Sequence, residues 1–291
     1  MIALVTTESA RGYDKDLGIV SRALDVAGVK WNIVNWDNPQ VQWNEYSIAV
    51  LRSPWDYHER IAEFSAWLKV VATQTRLLNT LQIVEWNLDK RYLRELMNSD
   101  IAVMNTVFVE SETGLAHEVF SADVIVKPAI SAGSNNTARY KHDVAGATDH
   151  ARKLLSNGIA VLAQPYQSAI DEYGETGLVY LGGQFSHGFR KAPIFADTDQ
   201  NHNGLYVVED ITLRIPSAAE RAFGDKVVAF VTNKFGVAPL YARVDMVVNA
   251  DGVPELMELE LTEPSLFLHL DDESPARAAL AIANAATTNE R

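Results

Sequence analysis

The chain has 291 residues, of which 47% are hydrophobic and 22% charged, a composition typical of a globular protein with a sizeable core. Its formal net charge of −13 disfavours binding to nucleic acid and to anionic lipid, both of which would repel it. The chain has no cysteine, which excludes disulfides, thiolate chemistry and zinc–thiolate sites.

The first 80 residues alternate between strand and helix patterns. The opening apolar run is too short for a signal peptide, and no segment approaches the 18 apolar residues of a membrane span, so we expect a soluble, cytoplasmic protein. Strands are predicted at 2–6, 31–34 and 48–51. Helical spacing lies between them, and a further helix pattern begins at Tyr57. This alternation predicts a parallel, Rossmann-like lobe over residues 1–80, although no dinucleotide-binding glycine motif follows any strand.

The pattern changes after this lobe. Residues 81–163 are predicted to form a compact α+β lobe, with helices near 89–98, 113–119 and 142–156 and strands at 106–109, 124–126 and 159–163. Residues 164–291 are predicted to form a second α+β lobe rich in hairpins, with strands at 178–181, 184–190, 240–248 and 254–261 and a helix at 275–286. The polar stretch 193–203 is predicted to be a loop.

The last hairpin carries a cluster of charge. Arg243 and Asp245 share one face of its first strand, and Glu258 and Glu260 share one face of its second. The turn between them predicts that Asp245 lies opposite 256–257, within reach of Glu258. Three carboxylates this close require a cation, and oxygen ligands favour Mg²⁺, with Mn²⁺ as an alternative. The other interpretation is a solvated face of an amphipathic hairpin.

Two lysines follow patterns that suit phosphate binding. Lys127 ends an apolar strand, and a loop of small residues at 131–136 follows it, whose N–H groups could approach phosphate oxygens. The alternative is a strand that simply ends in a surface lysine. Lys90 follows Asp89, a candidate helix N-cap, and on its own this pattern is structural.

Further cations and acids adjoin predicted strand ends. Lys191 ends a strand and adjoins the irregular loop, so it could close over a triphosphate. Residues 159–166 are predicted to form a strand that runs into a hinge between lobes. Such a segment can present backbone groups to adenine, and the nearby acids Asp171 and Glu172 could contact a ribose.

The order of these motifs resembles that of the ATP-grasp family over roughly residues 78–270. The motifs are Asp-Lys at 89–90, Val-Lys-Pro at 126–128, Gln-Pro-Tyr at 164–166 with Gly-Glu at 174–175, Arg-Val-Asp at 243–245 and Glu-Leu-Glu at 258–260. The resemblance implies an ATP-grasp architecture, in which an N-terminal Rossmann-like lobe accompanies two α+β lobes that clasp ATP.

The same resemblance implies a role for each residue. ATP and its phosphates would be bound by Lys90, Lys127, Ser134, Gln164, Tyr166, Asp171, Glu172 and Lys191. Arg243 and Lys191 would act on the transferred phosphoryl group, and Asp245, Glu258 and Glu260 would hold two Mg²⁺ ions. The family usually ends its metal motif Glu-x-Asn, whereas this chain has Glu260. Relatives also often have several glycines in the small-residue loop, whereas this loop has only Gly133.

Two further segments resemble a narrower subgroup, which includes the ligase that closes O-ureido-D-serine to cycloserine. They are residues 51–57 and 258–266. Arg52 follows the third predicted strand, where open α/β sheets place ligand contacts, and could clamp a substrate carboxylate. Glu263 could meet an ammonium group. The alternative is that Arg52 forms a surface ion pair.

The resemblance to the family and its subgroup implies an ATP-dependent ligase that converts a small amino-acid carboxylate to an acyl phosphate, which a nitrogen of the same molecule then attacks. The alternatives are an intermolecular amino-acid ligase, a kinase that stops at the phosphorylated product, and a non-catalytic ATP-binding regulatory protein. His187 could serve as a base, although a histidine on such a strand is more often structural. A homodimer is the default expectation for the assembly.

Overall fold

The computed structural model describes residues 1–193 and 210–287, whose strands form three sheets. The first sheet is parallel and the other two are antiparallel, which confirms the predicted α/β and α+β class. The loop predicted at 193–203 lies outside the described residues after Pro193. In the described part of the chain, no helix has the length and apolar character needed to cross a membrane.

The N-terminal sheet has the strand order β2-β1-β3-β4. Its strands are β1 (Ile2–Thr6), β2 (Trp31–Asn35), β3 (Ile48–Ser53) and β4 (Arg76–Leu78). Both faces are covered, so β1 is apolar along most of its length. Ile2 and Leu4 pack on one side of the sheet, and Ala3 and Val5 pack on the other.

Three helices accompany this sheet, namely α1 (Lys15–Val26), α2 (Ile61–Gln74) and α3 (Leu81–Asn87). Helix α1 begins after Asp14, whose side chain caps it, and Gly28 follows its end with a φ of 69°, which glycine adopts readily. The helix predicted to begin at Tyr57 is shorter in the structure. Tyr57 lies in a 3₁₀ turn at Trp55–Glu59, and Arg60 (φ −131°, ψ 37°) leaves helical geometry before α2 begins.

The central sheet has the order β5-β8-β6-β7. Its strands are β5 (Val107–Val109), β6 (Val124–Pro128), β7 (Ala138–Tyr140) and β8 (Val161–Pro165), and the accompanying helices are α5 (His117–Phe120) and α6 (Val144–Ser156). Val124 and Val126 pack against α6. Because side chains alternate along a strand, Ile125 and Lys127 point to the opposite face, which lines a cavity.

The third sheet has the order β11-β10-β9-β12-β13. Its strands are β9 (Glu175–Leu181), β10 (Gln184–Lys191), β11 (Ile211–Arg214), β12 (Tyr241–Val248) and β13 (Pro254–Glu260). The remaining helices are α4 (Leu93–Met97), α7 (Ala169–Tyr173), α8 (Ala218–Phe235) and α9 (Ser274–Thr287). The helix predicted near 89–98 is in fact a 3₁₀ turn at Lys90–Tyr92 that runs into α4.

The two faces of the third sheet have different partners. Helices α3, α4 and α8 pack on one face, where Ala242, Val244 and Met246 of β12 are buried. The other face packs partly against β1, α1 and α9 through residues such as Val179 and Tyr241. The rest of that face is open and forms one wall of the cavity.

Candidate active site

A cavity of about 570 Å³ lies where the three sheets approach each other. Its walls come from the segment after β1, the end of β6, the loop at 131–137, the end of β8 and the β12–β13 hairpin. The carboxyl ends of parallel strands and the gaps between lobes are where α/β proteins commonly bind ligands. All three sheets therefore contribute to this site.

The hairpin places its charged residues directly opposite one another. Asp245 pairs with Glu258 and Arg243 pairs with Glu260, so the predicted register, with Asp245 opposite 256–257, is wrong. The cause is a bulge, because Met246 pairs with Leu256 and leaves Met257 as an extra residue. The bulge brings the carboxylates closer together than the turn alone would predict.

Arg243 binds two of the three carboxylates. Its Nε lies 2.9 Å from Oδ1 of Asp245, its Nη2 lies 2.7 Å from Oδ2, and Nη2 also donates to Glu260. The guanidinium lies 5.9 and 5.8 Å from the ring centroids of Phe189 and Phe267, which contact each other. Arg243 and Asp245 are both buried, so the ion pair is shielded from solvent.

The third carboxylate, Glu258, binds the two predicted phosphate-binding lysines. Its oxygens lie 3.2 Å from Nζ of Lys90 and 3.7 Å from Nζ of Lys127. Burial raises the pKa of Glu258, but the nearby Lys90 and Lys127 outweigh it, so the pKa lies below its usual range. Burial lowers the pKa of Lys127, which Glu258 partly opposes. Lys127 is thus a buried cation rather than a surface lysine at a strand end.

Negative charge remains in excess beyond these pairs. Burial raises the pKa of Glu260, and Asp245 and Glu258 raise it further, although Arg243 opposes them. Burial also raises the pKa of Glu263 to about 7, although a hydrogen bond from Tyr57 lowers it. A site in which carboxylates resist ionisation is one that an additional cation would stabilise.

The predicted ligands fit magnesium in their chemistry. Asp245, Glu258 and Glu260 all line the cavity and offer only oxygen donors, which Mg²⁺ prefers. In the part of the chain that the structure describes, no three carboxylate or histidine side chains gather in metal-binding geometry. The physical reason is that the cations of the protein already bind these carboxylates.

The small-residue loop lies next to the lysines. The Nζ of Lys90 lies 3.1 Å from both the carbonyl oxygen and the hydroxyl of Ser131. Gly133, Ser134 and Asn136 have positive φ values of 60°, 58° and 54°. Asp89 caps the turn that begins at Lys90, as predicted. The structural and functional interpretations of Lys90 are therefore compatible, because the cap orients the turn and the lysine lines the cavity.

The residues predicted to flank the adenine lie in the cavity wall, and their role stays a prediction. Gln164 and Tyr166 both line the cavity. Gln164 is buried and donates to Thr106 over 2.9 Å, and the guanidinium of Arg139 stacks 3.4 Å from the ring of Tyr166. These contacts hold both side chains in fixed positions.

The predicted ribose contacts lie elsewhere. Asp171 and Glu172 are exposed on the short helix α7 and are not among the residues that line the cavity. The carboxylate of Asp171 instead accepts a hydrogen bond from the hydroxyl of Tyr166. Glu175, which belongs to the ordered motifs but was given no role, does line the cavity, as does the predicted Lys191.

Arg52 also differs from one of the two predictions made for it. It is buried beneath the cavity and is not part of its wall. Its Nη2 donates to the carbonyl of Pro264 over 3.2 Å and lies 3.8 Å from Asp16. Arg52 is thus not a surface ion pair. It supports the segment that follows Glu263, and its role as a carboxylate clamp stays a prediction. Glu263 itself lines the cavity.

Several lining residues were missed by the sequence analysis. They are Tyr13, Asp14, Lys15, Asp16, Asn87, Asp210 and His269. The first four lie at the start of α1, after the connection from β1, and the carboxyl end of a parallel strand was the signal that could have indicated this region. His187, in contrast, is buried outside the cavity wall, and its Nε2 donates to the carbonyl of Leu266 over 2.8 Å.

Comparison with known proteins identifies the family. The family model "D-cycloserine synthetase DcsG, N-terminal domain" matches residues 2–79. The cycloserine biosynthesis protein DcsG of Streptomyces lavendulae is 32% identical over 304 residues, which cover 97% of this chain and 98% of that protein. The chain belongs to the DcsG family. The crystal structure of D-cycloserine synthetase DcsG matches this ATP-grasp ligase with a TM-score of 0.90 and 30% identity over 98% of this chain and 99% of that one.

More distant structures confirm the ATP-grasp fold of this DcsG-family member. D-alanine–D-alanine ligase from Bacillus anthracis, complexed with ATP, matches with a TM-score of 0.65 and 14% identity over 98% of this chain and 96% of that one. The ATP-grasp ligase PsnB, complexed with Mg and ADP, matches with a TM-score of 0.62 and 16% identity over 98% of each chain. The predicted architecture and the prediction of an ATP-dependent ligase that forms C–N bonds are both confirmed. ATP-grasp ligases generally use ATP and Mg²⁺, as predicted.

Proposed function

We propose that this DcsG-family ligase closes an O-ureido-D-serine-like amino acid to cycloserine. The observation that carries the proposal is the end-to-end similarity to a cycloserine synthetase, at 32% identity over nearly the whole of both chains. The charged cavity supports it, because it combines buried cations for a triphosphate with carboxylates suited to a metal ion.

In the proposed reaction, a substrate carboxylate oxygen attacks the γ-phosphorus of ATP, and ADP leaves. Lys127 and Arg243 line the cavity, and with Lys191 they would balance the charge that spreads over the transferred group. Lys90 and Ser134 would contact the phosphates, while Gln164 and Tyr166 would flank the adenine. Asp245, Glu258 and Glu260 would hold two Mg²⁺ ions, with Mn²⁺ as an alternative, and these ions would neutralise phosphate charge.

The second step would form the ring. A nitrogen of the same substrate attacks the acyl carbon, the C–N bond forms, that nitrogen loses a proton, and inorganic phosphate leaves with the electrons of the broken C–O bond. For O-ureido-D-serine the attacking nitrogen is the one bonded to oxygen, and the bond from this nitrogen to the carbamoyl carbon must also break to give cycloserine. One water takes up the carbamoyl group, which leaves as carbon dioxide and ammonia. The acyl phosphate must be kept from water during this step. We place the substrate at the end of the cavity that includes Glu263, whose raised pKa suits a site that receives a cationic group.

ADP release measured with Mg-ATP and O-ureido-D-serine tests the proposal. We expect turnover with this single substrate and the appearance of cycloserine. Paired amino acids serve as the comparison, because an intermolecular ligase would release ADP only when two of them are present. Release of ADP with a stable phosphorylated product would instead indicate a kinase. Either of these outcomes would overturn the cyclo-ligase proposal.

The metal assignment has its own test in Asp245→Asn. Asparagine has the same shape but no charge, so we expect at least a hundredfold lower kcat with little loss of fold. Asp251→Asn, in the exposed turn of the same hairpin, is the matched control and should retain wild-type activity. Near-normal turnover of Asp245→Asn at saturating Mg²⁺ would exclude Asp245 as a necessary ligand.

A further inference from the structure

The two carboxylate oxygens of Asp14 differ in their hydrogen bonding within the described structure. Oδ1 caps helix α1 by accepting from the N–H groups of Asp16 and Leu17, over 3.0 and 3.1 Å. Oδ2 is shielded from solvent and has no hydrogen-bond partner among the described residues. Asp14 is only 7% exposed, and it lines the cavity. A buried carboxylate oxygen without a partner is costly and points to a ligand.

The nearest groups leave this oxygen without a hydrogen bond. Arg52 lies 3.8 Å from Asp16 and donates to the carbonyl of Pro264, while its Nε and Nη1 have no hydrogen-bond partner among the described residues. The hydroxyl of Ser53 lies 2.8 Å from that of Thr6. Burial raises the pKa of Asp14, although the charge of Arg52 and the Ser53 hydroxyl oppose it. The charge of Asp14 is therefore compensated incompletely within the protein.

We propose that Oδ2 of Asp14 binds the α-ammonium group of the amino-acid substrate. This inference rests on the proposed function and adds the residue that recognises the amine. An ammonium group supplies the positive charge and the N–H donor that this oxygen lacks. The cap at Oδ1 fixes the orientation of the carboxylate.

Asp14→Asn is a selective test, because asparagine caps helices as well as aspartate does. The helix should therefore remain, while the charge that binds the ammonium is lost. We expect kcat/KM for O-ureido-D-serine to fall by roughly 30-fold or more. The same variant should match the wild type within about twofold when the substrate is the analogue in which hydrogen replaces the α-amino group. Asp14→Ser, which also retains a capping oxygen, should behave in the same way.

The competing residue is Glu263, which lines the same cavity. If Glu263→Gln shows the amine-dependent loss and Asp14→Asn does not, the ammonium binds Glu263 and the proposal is overturned. An equal loss with both substrates in Asp14→Asn would also overturn it, because that result indicates a purely structural role or a bound water.

The cyclo-ligase proposal can fail separately. If O-ureido-D-serine gives no turnover, the same comparison is made with whichever amino acid of a panel supports ADP release, against its deaminated analogue. An amine-dependent loss there supports the role of Asp14 while rejecting O-ureido-D-serine as the substrate. Failure of every amino acid to support ADP release by the wild type would overturn both.

Discussion

Arg243, Lys90 and Lys127 divide the cavity carboxylates between them. Asp245 and Glu260 bind the arginine, and Glu258 binds the lysines. A triphosphate would compete for the same lysines, and a metal ion would compete for the same carboxylates. Because a buried charge that loses its partner is costly, binding either ligand alone would leave charges uncompensated. The pairing therefore suits joint binding of a metal ion and nucleotide.

His187 shows how burial alone can change the role of a titratable residue. It is 3% exposed, and its Nε2 donates to the carbonyl of Leu266 while its Nδ1 lies 2.9 Å from the hydroxyl of Ser186. Burial lowers the pKa of His187, although the bond to Leu266 opposes it. The folded state thus holds the neutral ring, and the unfolded state takes up a proton first as the pH falls.

We therefore predict a loss of stability below about pH 6.5, where an unfolded histidine becomes charged. In His187→Gln, the unfolding free energy should depend less steeply on pH between 6.5 and 5. The slope should fall by at most about 1.4 kcal/mol per pH unit, which corresponds to the uptake of one proton on unfolding. Denaturant unfolding at a series of pH values measures it. His117→Gln, at an exposed position, is the control and should leave the slope unchanged. A slope unaltered by His187→Gln would contradict the buried neutral ring.

Among the elements, the small-residue loop is tied to the N-terminal part of the chain by a side-chain hydrogen bond. Nδ2 of Asn135 lies 2.8 Å from Nε2 of His58. Nδ1 of His58 lies 2.9 Å from the carbonyl of Trp55, so it carries the proton and leaves Nε2 to accept from Asn135. The indole of Trp55 donates in turn to the carbonyl of Glu263. The contact joins the loop to the end of the cavity that we assign to the substrate.

We predict that Asn135→Ala raises the KM for ATP about threefold to tenfold, with a smaller change in kcat. The reason is that a hydrogen bond of this kind contributes about 1 kcal/mol to holding the loop in place. A double-mutant cycle with His58→Ala checks it by steady-state kinetics. The double variant should be no worse than either single variant, because both remove the same contact. Additive losses would show that the two side chains act independently.

How well each site residue could be predicted depended on the secondary-structure element to which it belongs. Strand alternation was enough to bring Asp245, Glu258 and Glu260 to one wall, because side chains on a strand have only two directions. The bulge at Met257 was not predictable from the turn residues. Helix α8 was overlooked, although Ser217 to Glu220 has the capping-box spacing and forms that box in the structure.

Contacts between residues far apart in sequence were harder to predict than local structure. Asp14 was not indicated by any sequence pattern, and its place in the cavity depends on how the sheets pack. Arg52 was predicted at a ligand-binding strand end, and its strand does end there. Its side chain, however, is used by a segment more than 200 residues away. Such contacts follow from the tertiary fold and leave no periodic signal in the sequence.

At the scale of the whole molecule, Asp16 joins the two ends of the chain. Its carboxylate accepts from the backbone N–H groups of Leu266, Phe267 and Leu268, over 2.6, 3.0 and 2.8 Å. Arg52 lies 3.8 Å from it on the other side. Asp16 thus fixes the segment that follows Glu263, and this segment contributes Ser265, Phe267 and His269 to the cavity.

We predict that Asp16→Asn lowers both stability and activity. The asparagine keeps one oxygen for three N–H groups and leaves Arg52 without its nearest counter-charge, so we expect a loss of about 3 kcal/mol in unfolding free energy. Because the displaced segment lines the cavity, kcat/KM should fall by more than tenfold, even where the variant is fully folded. Denaturant unfolding and steady-state ADP release measure the two effects.

Asp25→Asn is the matched control for this variant. Asp25 lies on the same helix but is exposed, and its carboxylate accepts only from the indole of Trp31, over 2.8 Å. Asp25→Asn should lower the unfolding free energy by less than about 1 kcal/mol and should leave activity unchanged. If the two variants behave alike, the contact between α1 and the 266–268 segment does not hold the cavity together. If Asp16→Asn loses activity at full stability, Asp16 positions the cavity wall without contributing to the fold.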